Sequence, residues 1–144
     1  MGKNHDKGNR GDRPKSRSSA KLTRPPVLIN YDEQTPKFYL RHLHRDFDVK
    51  ALAETDKRAD FALALQLRSA MTWREIIMAP RHGLGSENIP RGQIRAPIPR
   101  GFEDAEQFLV LRYSGKLPMV GIRVRDVFHI IWIEPEFGRL YDHG

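Results

Sequence analysis

Cysteine is absent from all 144 residues, which excludes disulfides, thiolate metal sites and a cysteine nucleophile. A secreted domain of this size does not require disulfides, so the absence only tilts the expected compartment toward the cytoplasm. No apolar run approaches the 18 or so residues of a membrane span. The longest apolar-rich stretch, Val127–Ile133, is interrupted by His129 and has the length of a strand. The N-terminal residues hold no apolar h-region, so no signal peptide is expected, and with no membrane segment the chain reads as soluble. Also missing are a GxSxG elbow, a P-loop, an HExxH pair and a GxGxxG turn, the usual marks of nucleotide binding and hydrolysis. Gly83-x-Gly85 is too short to supply one, and no cofactor is expected.

Acid is scarce at the N-terminus. The formal charge is +7 and the pI near 10.0, but residues 1–26 carry Lys3, Lys7, Arg10, Arg13, Lys15, Arg17, Lys21 and Arg24 against Asp6 and Asp12 only. That is a net +6, leaving +1 for the other 118 residues. Leu22 and Met1 are the only large apolar side chains there, too few to offset the entropy of ordering, so a disordered basic tail is expected. Such arms bind polyphosphate by releasing counterions; the competing reading is a solubilising leader. The remaining length suits a single domain over 27–144 with one core.

Pro25-Pro26 closes the tail. Lys37–Leu43 (KFYLRHL) alternates apolar and charged residues as an edge strand does, after a turn or loop at Tyr31–Pro36. The pattern from Val49 to Ala70 is helical, with Leu63, Leu67 and Ala70 as one stripe and Phe61, Leu65 and Arg68 as its neighbour. A charged cluster from Glu54 to Asp60 marks a candidate break at its start. Thr72-Trp73-Arg74-Glu75 is a capping box, with Thr72 as N-cap and Glu75 at N3; it opens a short helix, Trp73–Met78, that Pro80 stops. Residues 81–101 hold three prolines, four glycines and Arg81, Arg91, Arg95 and Arg100, with Glu87 the only acid, so an irregular basic loop is expected.

Gln107–Tyr113, Leu117–Arg125 and Val127–Glu134 read as three strands joined by turns at Ser114-Gly115-Lys116 and Arg125-Asp126, an antiparallel meander. The expected fold class is α+β: an N-terminal strand and helices packed on a C-terminal three-stranded antiparallel meander, behind the tail. A two-residue turn at Arg125-Asp126 pairs Val124 with Val127, Ile122 with His129 and Val120 with Ile131. That apolar face is expected against the helices. The face bearing Met119, Gly121, Arg123, Phe128, Ile130 and Trp132 is expected to be partly exposed for binding.

Three constellations bear on chemistry. His42-x-His44 with Asp46 or Asp48 has the pairing of metal ligands on a strand face, but no third ligand is specified and such pairs arise by chance; no metal is expected. His129 reads as a hydrogen-bonded core histidine. The third is basic and aromatic: Arg112 on the first meander strand, Arg123 and Arg125 on the second, then Arg139, Tyr141, Asp142 and His143. Phosphodiester transfer needs cations around developing charge and an acid–base pair near the 2′-hydroxyl and leaving oxygen, which these types supply; the competing reading is a solvated sheet edge and a frayed C-terminus.

A first strand, helices, a basic loop and a three-strand meander with the arginine-bearing GIRVR strand and the late Tyr141 and His143 resemble the RelE/ParE superfamily of bacterial toxins over about residues 37–144. The resemblance implies an endoribonuclease of a toxin–antitoxin system that cuts mRNA without a metal, often on the ribosome. Arg112 and Arg123 would stabilise phosphate charge and Tyr141 or His143 would move protons, while Arg81, Arg91, Arg95, Arg100 and Arg125 would grip RNA. Expected partners are then RNA or the ribosome and an antitoxin protein. The domain is longer than typical members, the Arg81–Gly101 loop is extra, and early-strand lysines are not evident. Two alternatives stay open: a non-catalytic RNA- or ribosome-binding protein, and a protein-interaction module using the aromatic sheet face.

Overall fold

A computed structural model describes residues 27–143; the basic tail, residues 1–26, lies outside the described residues. Five strands form one open mixed sheet, in the order β1-β5-β4-β3-β2. They are β1 (Lys37–Tyr39), β2 (Ser86–Pro90), β3 (Gln107–Ser114), β4 (Leu117–Val124) and β5 (Val127–Ile133). Two helices, α1 (Thr55–Ser69) and α2 (Trp73–Met78), precede β2. The α+β class and the β3-β4-β5 meander agree with the sequence; the strand count does not.

Both strands outside the meander, the expected β1 and the additional β2, come from tertiary pairing. β2 forms inside the segment expected to be irregular, antiparallel to β3, with Ile89 opposite Phe108 and Pro90 opposite Gln107. Proline is tolerated because β2 is an edge strand and Pro90 is its last residue. Ile89 is buried, and that burial outweighs the local turn chemistry of the neighbouring glycines and prolines. A 3₁₀ turn, Arg91–Gln93, follows. β1 runs parallel to β5, Phe38 opposite Phe128, and stops at Tyr39 rather than Leu43. The chain turns at Arg41-His42 and then resumes the ladder loosely: the His44 amide donates to the Ile131 carbonyl (2.8 Å) and the Ile133 amide to the Phe47 carbonyl (2.7 Å).

The capping box stands as read. The Thr72 hydroxyl accepts from the Glu75 amide at 3.2 Å, and the Glu75 carboxylate accepts from the Thr72 amide at 3.2 Å. α1 differs from its expected course. It begins at Thr55, at the charged cluster, and its buried stripe is Phe61, Ala64 and Arg68, while Leu63 and Leu67 are 50% and 46% exposed. An arginine completes the core-facing stripe, so apolarity alone selects the wrong face.

The faces of the meander are also exchanged relative to expectation. Val124 does pair with Val127 and Ile122 with His129, but a bulge then leaves Val120 opposite Trp132. At Gly121 the strands approach so closely that a Cβ would sit 1.9 Å from the His129 carbonyl oxygen. The bulge sends the consecutive residues Ile131 and Trp132 to one side, where they pack with Phe108, Val110, Val120, Leu140 and Tyr141. Met119, Phe128 and Ile130 face the helices and pack with Phe61, Trp73 and Ile76. The face expected to be open for binding is therefore the helix-covered core. Loops 94–105 and the C-terminal segment cover the other face, so neither is free. Among the described residues no helix is long and apolar enough to cross a membrane.

Candidate functional site

The segment after β5 folds around a carboxylate. Glu134 is wholly buried, and a buried charge requires partners for its lone pairs. Its Oε2 accepts from the Leu140 amide (2.6 Å) and the Tyr141 amide (3.4 Å). Its Oε1 lies 2.6 Å from Nε2 of His143. An ionised carboxylate only accepts, so Nε2 carries the proton and Nδ1 of a neutral ring keeps the lone pair. The imidazole is sandwiched between Phe137 and Tyr141, with centroids 4.0 Å away on each side, and its side chain is 12% exposed. Ring stacking and a buried anchor hold this histidine in one orientation, which a frayed terminus would not.

His143 and Tyr141 border a cleft of about 390 Å³ whose other walls include Arg81, His82, Glu87, Arg112 and Lys116. Several segments meet there. β3 projects Arg112 on the side of the sheet that bears Phe108 and Val110; the turn before β2 supplies Arg81 and His82; β2 supplies Glu87. Nη1 of Arg112 lies 3.0 Å from Nδ1 of His82. The arginine can only donate, so Nδ1 accepts and the ring's proton sits on Nε2. Nε of Arg81 approaches that second nitrogen at 3.5 Å, too long to compete for the tautomer. Arg81 is instead engaged by Glu87 at 3.1 Å. Burial raises the pKa of the Tyr141 phenol, and the charges of Glu87 and Glu134 raise it further, against a lowering by Arg112. The phenol therefore stays protonated at neutral pH.

The structure brings together Arg81, Arg112, Tyr141 and His143, and places the other expected site residues elsewhere. Arg123 lies on the helix-covered side, its guanidinium 4.5 Å from the Trp73 ring centre, paired with Asp32 at 2.7 Å and donating to the Arg125 carbonyl at 2.7 Å. It borders a separate groove of about 340 Å³ with Trp73, Asn88 and Gln107. Arg125 takes φ 59 in the β4–β5 turn, over the Tyr31 ring at 5.9 Å. Arg91 donates to the Glu103 carbonyl. Arg95 donates to the Gly138 carbonyl at 2.9 Å, and its amide to the Leu140 carbonyl at 2.8 Å, bracing the C-terminal segment. Arg100 is exposed in the loop.

The His42-x-His44 pair divides because β1 ends before it. His44 Nδ1 accepts from the Asp46 amide at 3.2 Å, whereas His42 packs on Tyr39, Phe102 and His129. Among the described residues no group of three or more histidine, aspartate or glutamate side chains is arranged to hold a metal ion. His129 departs from the hydrogen-bonded core histidine expected: its Nδ1 is buried and has no partner among the described residues.

Sequence reasoning passed over Glu134, His82 and Lys116. The signal for Glu134 was an acid directly ending an apolar strand; for His82, adjacency to Arg81 on a turn. Comparison with family models, with curated proteins and with solved structures returned no match.

Proposed function

We propose that the protein is a toxin-type endoribonuclease whose active site is the cleft between Arg112 and His143. The observation that carries this reading is His143, anchored on the buried Glu134 carboxylate at the edge of a cleft that also holds Arg81, Arg112 and Lys116. In cleavage by internal transfer, the 2′-oxygen attacks the neighbouring phosphorus, its proton leaves to a base, and the 5′-oxygen departs with a proton from an acid. The products are a 2′,3′-cyclic phosphate and a 5′-hydroxyl. Nδ1 of His143 is the base in this scheme, and Glu134 stabilises the imidazolium that forms. Tyr141, kept protonated by its surroundings, is the acid. Arg112, with Lys116 and Arg81, neutralises charge developing on the non-bridging oxygens. Arg123 sits outside the cleft and has no part in this scheme. The resemblance to RelE-like toxins supplies the further expectations of an mRNA substrate on the ribosome and an antitoxin partner.

The test is cleavage of end-labelled RNA in chelator, free and on translating ribosomes, by the parent and by His143→Ala and Arg112→Ala proteins of unchanged thermal stability. The parent should cut and leave cyclic phosphate ends. Each variant should be slower by about 10²-fold or more, the usual contribution of a positioned acid–base or oxyanion group. A folded parent that cuts in neither setting overturns the reading. If it nonetheless binds RNA with steep salt dependence, the non-catalytic alternative takes its place.

A further inference from the structure

Only two charged side chains among the described residues are fully buried, Glu134 and Arg68. Glu134 has His143 as its partner, whereas Arg68 makes no ion pair among the described residues. It stands in the last turn of α1, 0% exposed, where leucine would complete the apolar stripe begun by Phe61 and Ala64. Burial pulls its pKa down to about 10, so it remains a cation at neutral pH. A buried cation without a counter-ion is expensive; what it secures must therefore be sought in its contacts.

All of those contacts are backbone carbonyls. Nε donates to Leu84 (3.2 Å), Nη1 to Ala64 (3.3 Å) and Nη2 to Gly83 (3.5 Å). Leu84 and Gly83 belong to the turn that carries Arg81 and His82 into the cleft. The same turn is cinched from inside, because the amides of Gly83 and Gly85 both donate to the Pro80 carbonyl at 3.0 Å. Gly85 lies so close to the chain that a Cβ would stand 2.2 Å from the Ala79 oxygen. Bonds from its amides to Pro80 and from Arg68 to its Leu84 carbonyl, with the Gly83 carbonyl at longer range, brace the turn in its observed position. That position puts His82 Nδ1 3.0 Å from Arg112. Arg68, Gly83, Leu84 and Arg112 also line one small cavity of about 170 Å³.

We propose that Arg68 is a positioning residue: by clamping the Gly83 and Leu84 carbonyls it holds His82 where His82 orients the Arg112 guanidinium. The catalytic consequence rests on the proposed function; the positioning itself does not. A planar fork with separate donors is needed, since a lysine ammonium is a single point that cannot span carbonyls on a helix and a turn together.

The experiment compares the full-length parent with Arg68→Met, which fills similar space without charge. Replacing buried charge by an apolar side chain is commonly neutral or stabilising, so the melting temperature should be unchanged or higher. The imidazole ¹⁵N spectrum is read first. In the parent, His82 should be held as the Nε2–H tautomer; in Arg68→Met it should revert to the mixture of a free histidine, while His143 and His129 stay unmoved. Single-turnover RNA cleavage should slow by roughly 10-fold or more, with RNA affinity within about 2-fold, and the same substitution should have little further effect in an Arg112→Ala background. An unaltered His82 signal in Arg68→Met overturns the proposal, as does an equal, additive loss in the Arg112→Ala background. If Arg68→Met does not fold, Arg68→Lys is read the same way, with the same two outcomes. A parent that cuts no RNA, combined with a shifted His82 signal, rejects the enzymatic reading and leaves the positioning intact.

Discussion

His129 carries a ring nitrogen that the fold has enclosed without giving it a partner, and the neighbouring rings are Tyr39 at 5.2 Å and His42 at 5.6 Å. Nothing there stabilises an imidazolium. Burial first, then the second imidazole, lowers the pKa of His129 below the ordinary histidine value. The unfolded chain then holds more protons than the native one in the interval between that lowered value and about 6.5, so stability rises with pH across that interval. This contribution is complete above pH 6.5 and is lost as pH falls through the interval. The urea midpoint of the parent should drop between pH 7.5 and pH 5.5. A His129→Phe protein, checked in the same buffers, should show a smaller drop. Equal drops in the two proteins would mean that other groups govern the acid limb. Here sequence reasoning read a half-truth: an apolar strand foretold enclosure of the ring, but not the missing hydrogen bond, because its nearest neighbours come from β1 and the turn after it, far earlier in the chain.

α1 makes a parallel case among the elements. Helical periodicity is carried by backbone geometry and was legible; which stripe is buried depends on what lies opposite, and was not. Counting apolar residues favours Leu63 and Leu67 over Phe61 and Arg68, because no composition rule credits an arginine that satisfies carbonyls inside the core. The prediction is asymmetric. Phe61→Ala removes a ring packed edge-on to Tyr113 at 6.1 Å and should lower unfolding free energy by about 3–4 kcal/mol. Leu67→Glu, on the exposed side, should change it by no more than about 0.5 kcal/mol. Urea unfolding of both proteins decides the matter, and comparable losses would refute the assigned stripe. α2 was fully legible because its signal is local: both halves of the capping box lie within four residues. β2 was not, since its five residues become a strand only when β3 offers the complementary ladder. The bulge at Gly121 lies between these cases. Both strands and their turn could be read, but one unopposed residue reversed part of the facing, as a period of two requires.

At the scale of the whole molecule, the site is assembled from distant parts while the meander is local. Arg112, Tyr141 and His143 were legible as chemistry-bearing types on a meander and its trailing segment. Their convergence depends on Glu134, whose burial no local pattern announces. Arg123 was grouped with them because it shares the meander, yet strand alternation alone puts it on the other side. Charge is divided on the same scale: the N-terminal 26 residues hold a net +6, so overall basicity says little about the cleft, where Glu87 and Asp142 stand among the cations.

The parallel placement of β1 against β5 has a consequence in time. Lys37 and Asp126 meet although they lie 89 positions apart in the chain, whereas β3, β4 and β5 follow one another through two tight turns. Closing the long loop costs chain entropy before any contact rewards it, so β1 should dock after the rate-limiting barrier has been crossed. The turn that waits for it is already shaped: the Asp126 carbonyl accepts from both the Lys37 amide and the Trp73 indole, each at 2.9 Å. Phe38→Ala should accordingly hasten unfolding and leave the refolding rate nearly unchanged, while Val120→Ala in the meander should slow refolding. Stopped-flow chevrons of the two proteins would show it. A refolding limb slowed by Phe38→Ala would place β1 in the nucleus instead.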